Sequence, residues 1–153
     1  MKILAQNKKA KYDYDILETF TAGIVLIGSE VKSAKLGNVS LKGSYVTIRP
    51  TGPKGQNEAW LINTHIAPYK PAGPQPKYDP ERSRKLLLHR KEIDSLCGKL
   101  KQKGLTLVPL SMYTKEGRIK LEFGLGRGKR KYEKREKIKK REAERRMARA
   151  LRK

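Results

Sequence analysis

Half of this chain's excess positive charge sits in its last 27 residues. Arg127 to Lys153 hold fifteen Lys and Arg against four Glu, a net of +11, while the whole 153-residue chain carries +22. Tyr132 is the one aromatic residue of that segment, and apolar residues are few. It cannot bury enough surface to offset its conformational entropy and fold by itself. The chain is therefore expected to form one body, residues 1–126, and a basic C-terminal tail, residues 127–153, disordered alone and ordered by a polyanion. The usual polyanion is nucleic acid, bound with strong salt dependence through counterion release. A merely solubilising tail is the plainer alternative.

The remaining chemistry is sparse. Cys97 is the single cysteine, so an internal disulfide and a multi-cysteine metal site are both excluded. Between Ile93, Leu96 and Leu100 it reads as a small hydrophobe on a helix face. His65 and His89 fall in different elements with no ligand partner at metal spacing, so no metal and no cofactor is expected. No stretch approaches the ~18 apolar residues of a membrane span, and a soluble cytoplasmic protein is expected. There is no phosphate-binding P-loop, and the glycines from Gly124 to Lys129 read as a hinge between body and tail. Asp13 and Asp15 lack an acid–base setting, and no nucleophile–base pair is visible. No catalytic residue is assigned, and an enzyme is not expected.

Patterning gives a coarse architecture. Residues 1–11 are polar and read as loose. Tyr12, Tyr14, Ile16, Glu18 and Phe20 alternate as on one strand face, Gly23 interrupts, and Ile24–Ile27 reads as a short buried strand. Ser29 can cap a brief helix in which Val31 and Ala34 face inward and Gly37 ends the last turn. Ser44–Arg49 and Glu58–Ile66 form strands around a Pro/Gly turn. Residues 67–80 hold five of the eight prolines and form an extended loop. Asp79-Pro80-Glu81 carries the cap, proline and acid of a helix start. That predicts helix to Lys103 with a bend near His89. Leu105–Tyr113 and Arg118–Leu125 are strands joined at Lys115-Glu116-Gly117. The sum is mainly β, five or six strands with a helical insertion, consistent with a closed or partly closed barrel.

Several stretches, in order, make the chain more specific: NKKAKYDYDILETFTAGIVLIGSEVKSAKLG, LKGSYVTI, THIAPY, DPERSRKLLLHRKEI, KGLTLVPLSMY and GLGRGKRKYEKREKIKKRE. Together, from Asn7 to about Glu144, they closely resemble the SmpB family of SsrA-binding proteins. The resemblance implies a small oligonucleotide-binding-type (OB-like) β-barrel with embedded α-helices plus the basic tail. It implies a role in bacterial trans-translation: binding the tRNA-like domain of tmRNA (SsrA RNA) and delivering it to stalled ribosomes. There the tail would probe the empty mRNA channel, so that the nascent chain is tagged for degradation and the ribosome released. The implied partners are tmRNA, the ribosome at its decoding centre, mRNA channel and 16S rRNA, and elongation factor Tu through the shared tmRNA. The protein would act as a monomer, with no membrane partner.

Carried over by position, the tmRNA face comprises Asn7, Lys8, Tyr12, Thr21 and Leu86, with Lys32, Lys35, Arg84 and Lys85 as phosphate partners. Thr21 stands where the family often has Glu, a hydroxyl in place of an anionic acceptor. Leu86 is equally well a core residue of an amphipathic helix, and Lys32 and Lys35 are equally well solvated helix charges. The ribosome-facing tail comprises Gly128, Lys129, Arg130, Tyr132, Glu133, Lys134 and Arg135, continuing through Lys139, Lys140 and Arg141. Glu136/Lys140 and Glu142/Arg146 are helix-favouring pairs, and Ala143, Met147, Ala150 and Leu151 form a thin apolar stripe. The competing reading is a structural ribosomal protein whose basic tail threads ribosomal RNA. An RNA-modifying enzyme would need a catalytic group that the sequence does not offer.

Overall fold

The computed structural model describes residues 1–129 and 131–151, with only the backbone in residues 131–134 and 137. The described residues form strands β1 (Lys2–Gln6), β2 (Tyr14–Ile24), β3 (Val39–Ser40), β4 (Tyr45–Arg49), β5 (Glu58–Ile62), β6 (His65–Ile66), β7 (Arg84–Leu87), β8 (Leu105–Lys115) and β9 (Arg118–Gly128). The α-helices are α1 (Ala10–Asp13), α2 (Gly28–Lys35), α3 (Arg90–Leu100) and α4 (Lys131–Leu151). The fold is mainly β, with four α-helices among the described residues.

The long β8–β9 hairpin is the spine. Glu116 and Gly117 both have positive φ, 53° and 75°, the left-handed pair that lets a two-residue turn match strand twist. Along β9, Ile119, Leu121, Phe123 and Leu125 are buried, as the alternation predicted. Pro109 has no N–H to give to a ladder, and β8 shifts register between Pro109 and Ser111. The large sheet runs β1-β8-β4-β5-β7-β2-β9, and β8 also pairs with β9, so the pairings from β8 through β4, β5, β7, β2 and β9 return to β8. The core fills that ring with Leu61, Leu86, Leu107, Met112, Leu121 and Phe123, each at most 1% exposed. Phe20 stacks on Phe123 with ring centroids 5.6 Å apart. Leu96 brings α3 onto this core, and Lys99 of α3 bonds Glu18 of β2 at 2.5 Å.

Five local expectations are corrected. Residues 2–6 are a strand paired with β8, with Leu4 in the core, Ala5 packed against it and Ile3 exposed. Tyr12 belongs to α1, and β2 begins at Tyr14 and continues through Gly23. Val25 and Ile27 are exposed, and the backbone N–H of Ile27 donates to the Glu30 carboxylate at 3.0 Å, so that Glu30 rather than Ser29 caps α2. Gly124 and Gly126 form no hinge. They lie in β9, where a Cβ on Gly124 would stand 2.8 Å from Ile16 Cγ2, so glycine is a packing requirement.

The fifth correction reaches furthest. Asp79-Pro80-Glu81 opens no long helix: the Asp79 carboxylate accepts from Glu81 N–H at 2.9 Å in a single turn, and residues 84–87 form β7 between β5 and β2. Tertiary context overrides the helix signal because Arg84 is fully buried. Its Nε donates to Glu30 at 2.8 Å, its Nη1 to the Thr64 carbonyl at 2.5 Å and its Nη2 to the Pro80 carbonyl at 2.9 Å. Arg82 reaches the second Glu30 oxygen. Tyr78 donates to the Ile66 carbonyl at 2.8 Å, and burial with the nearby Glu30 charge holds its hydroxyl above its ordinary pKa. This network ties α2, β6, β7 and the proline loop together.

Candidate nucleic-acid interface

The residues expected to meet tmRNA fall on three separate patches. At the start of β2, Asn7 leads into α1. Its N–H donates to Leu110 O at 2.8 Å and its side-chain amide to Pro109 O at 2.9 Å. Asn7 thus holds α1 against β8 and presents Lys8, which is exposed. Tyr12 lies beside it, its ring centroid 4.5 Å from the Arg141 guanidinium of α4.

The second patch lies at the far end of β2. Thr21 is seven residues beyond Tyr14, roughly 23 Å at ~3.3 Å per residue. With Lys85, His89, Arg90 and Lys120 it lines a groove of about 400 Å³. Lys85 is ion-paired with Glu58, whose carboxyl is held below its ordinary pKa first by that bond and then by the Thr51 hydroxyl. The third patch is α2. Lys32 and Lys35 are exposed there, and the Lys32 ammonium stands 5.6 Å from the Tyr69 ring centroid.

Two expected RNA-binding residues are withdrawn. Arg84 is 0% exposed, with its guanidinium held by Glu30 and two carbonyls, so it cannot reach a phosphate. Leu86 is 1% exposed and is core, whereas its neighbour Leu87 is 54% exposed, lying over Gly23 beside the Thr21 groove. Strand periodicity explains the exchange. Once residues 84–87 alternate, Arg84 and Leu86 point in, and Lys85 and Leu87 point out. Arg90 and Lys120, which were not among the expected RNA-binding residues, complete the groove. The alternation of charged and apolar residues along β9 was the available signal for Lys120.

At the tail's root, Gly128 ends β9. Lys129 is largely committed to the body: its N–H donates to Asp13 O and its ammonium to Lys11 O, both at 2.8 Å, with Asp15 at 3.7 Å. Arg135, Lys139 and Lys140 are exposed on α4, and Arg141 packs on Tyr12. Arg130 and the side chains of Tyr132, Glu133 and Lys134 lie outside the described residues. Met147 and Leu151 are exposed, so the apolar stripe of the tail does not face the body. Among the described residues there is no cluster suited to a metal and no helix long and apolar enough to cross a membrane.

A strand-built basic body carrying a cationic helix has the charge layout of a nucleic-acid-binding protein. The chain belongs to the SmpB family: the family model described as SmpB protein matches residues 4–153. It is 51% identical over 150 residues to an SsrA-binding protein of Gloeothece citriformis, covering 98% of this chain and 93% of that one. It is 48% identical over 151 residues to the SsrA-binding protein of Thermosynechococcus vestitus, with 99% and 95% covered. A chain in the solved structure described as "tmRNA-SmpB: a journey to the center of the bacterial ribosome" superposes with a TM-score of 0.65 at 45% identity, covering 87% of this chain and 92% of that one.

Proposed function

We propose that this protein binds the tRNA-like domain of tmRNA and carries it to stalled ribosomes in bacterial trans-translation. The carrying observation is the 45% identity, over 87% of the chain, to the protein seen in the tmRNA–SmpB structure. The exposed basic patches supply the means. In this reading the strand ring is an OB-like barrel, and the RNA-binding body, expected to end at residue 126, extends through the end of β9 to Lys129. Lys8, Tyr12, Thr21, Lys32, Lys35, Lys85 and Leu87 contact tmRNA, and Asn7 positions α1. The tail from residue 130 onward carries α4, a helix with little stability in isolation that the vacant mRNA channel holds, and there Arg135, Lys139 and Lys140 meet 16S rRNA phosphates near the decoding centre. Elongation factor Tu joins through the shared tmRNA. The protein is a monomeric, cytoplasmic binding factor without catalysis of its own.

The test is to sequence the RNA that co-purifies with the protein after a high-salt wash. One dominant species with a tRNA-like end is expected. Stoichiometric ribosomal RNA and retention on subunits would favour the structural ribosomal protein instead and overturn this reading.

A further inference from the structure

The outward face of the sheet carries more than the groove at Thr21. Burial alternates along β5, so Ala59 and Leu61 point in and Trp60, the one tryptophan of the chain, points out half-buried. Register sets Trp60 opposite Thr47 of β4 and Lys85 of β7. The Val25 N–H donates to the Lys85 carbonyl at 3.0 Å, which puts Val25, 46% exposed, next in the same row. Neighbouring strands lie about 4.8 Å apart, so the row spans roughly 14 Å and Trp60 stands one strand away from Lys85. The ring is also tied down. Its indole N–H donates to the Thr51 hydroxyl at 2.7 Å, Thr51 donates to Glu58 at 2.8 Å, and Glu58 pairs with the Lys85 ammonium. On the side of the groove, exposed Leu87 lies over Gly23, and Lys120 stands opposite Gly23 on β9.

We propose that Trp60 is a stacking platform for an unpaired nucleotide base of the bound RNA, with Lys85 beside it meeting a phosphate of the same stretch. This deepens the tmRNA reading and rests on it for the identity of the RNA. Three considerations choose the occupant. First, β5, β7 and β2 are each paired on both sides, so this face offers no free backbone edge to which a peptide strand could add. Second, cations punctuate the apolar groups, Lys85 within the row and Arg90 and Lys120 in the adjoining groove, on a chain of net charge +22. An anionic chain bearing flat apolar rings matches both features. Third, a paired base has its faces covered by its neighbours in the stack, whereas a loop nucleotide can lay its base on the indole. Thr51 and Glu58 are then positioning residues. They hold the ring and Lys85 in register without touching RNA, which accounts for a carboxylate on a face built for an anion.

Because Trp60 is the one tryptophan, its fluorescence in the full chain reports the site directly. A transcript of the tRNA-like domain of tmRNA and a short oligoadenylate should both quench it, and a fully paired RNA duplex should bind without quenching. Trp60→Leu should weaken transcript binding about 5- to 150-fold, the range for one lost base–aromatic stack. The salt slope should stay as in wild type, since no phosphate contact is lost. Trp60→Phe keeps a ring and should recover most of the affinity. Thr51→Val should cost about two- to tenfold by freeing the ring. A bound transcript that leaves the fluorescence unchanged, or a Trp60→Leu affinity equal to wild type, would overturn the platform. So would equal losses in Trp60→Phe and Trp60→Leu with melts like wild type, or a salt slope lowered in Trp60→Leu. Quenching by the duplex as strong as by the transcript would overturn the choice of unpaired bases, and Thr51→Val binding as wild type would overturn the positioning role. If Trp60→Leu fails to fold, quenching in wild type and the Trp60→Phe affinity still decide. Failure of the transcript to bind at all in a mobility-shift assay would instead overturn the tmRNA reading, while the oligoadenylate titration would still decide whether Trp60 stacks on RNA.

Discussion

Arg84 and Arg141 belong to the same strongly basic chain and are used in opposite ways. Arg84 is buried and held by Glu30 and two carbonyls, so its charge is cancelled inside the body. Arg141 rests on the face of Tyr12 at the surface, its charge set against a ring and water. The body uses cations as structural bolts that fix α2 to β7. The tail holds its cations in reserve. A count of Lys and Arg cannot separate these roles, since what decides them is whether a carboxylate is buried within reach.

The sharpest way to break this contrast is Glu30→Ala. It leaves Arg84 as an unpaired charge in the core and should cost about 3–5 kcal/mol, seen as a lowered denaturant midpoint. Arg141→Ala should leave that midpoint essentially unchanged. Acid probes the same bolt. Burial pushes the Glu30 carboxyl up, but the bonds from Arg82, the Ile27 N–H and Arg84 outweigh it and hold the group below its ordinary 4.5. A carboxyl depressed in the folded state contributes stability that is fully present above the unfolded value and is lost as pH falls through the folded one. Wild type should therefore lose stability more steeply below pH 4.5 than the Glu30→Gln protein, as read from melts across that range.

Gly124→Ala sharpens the distinction between rigid strand and flexible joint. Its Cβ would meet Ile16 Cγ2 at 2.8 Å. Overpacking of this kind should cost about 1–3 kcal/mol, whereas a hinge would accept alanine with little change in the melt. The smallest effect on stability is expected in the arm. Ending the chain after Lys129 should shift the unfolding free energy by less than about 1 kcal/mol, as expected away from a packed core. Lys139→Ala with Lys140→Ala should likewise leave melting alone, yet lower the salt slope of ribosome binding by about one unit for each phosphate left without its lysine. Loss of the cooperative melt in the shortened chain would show that body and tail are one folding unit.

Much of the frame was legible from residue order alone. The β8–β9 hairpin, its Glu116-Gly117 turn, β4, the brief helix α2 and the asymmetry of charge all follow from patterns a few residues long, because alternation, turn chemistry and charge density are local properties. The family motifs were legible too, and they placed Lys8, Thr21, Lys32 and Lys35 correctly on the surface. Residues 79–88 were not. Asp79 and Pro80 are good helix-starting residues, and nothing nearby announces that Arg84 will find Glu30, fifty-four positions earlier. That pairing and the vacant slot between β5 and β2 exist only once the sheet has assembled. They turn a helix into a strand, bury Arg84 and Leu86, leave Lys85 half-buried and expose Leu87. The sequence by itself determined that this is a mainly β, RNA-seeking chain with a cationic arm. Tertiary structure decided which cations can reach RNA, because desolvating a charge is so costly that its position in the core is dictated by its partner.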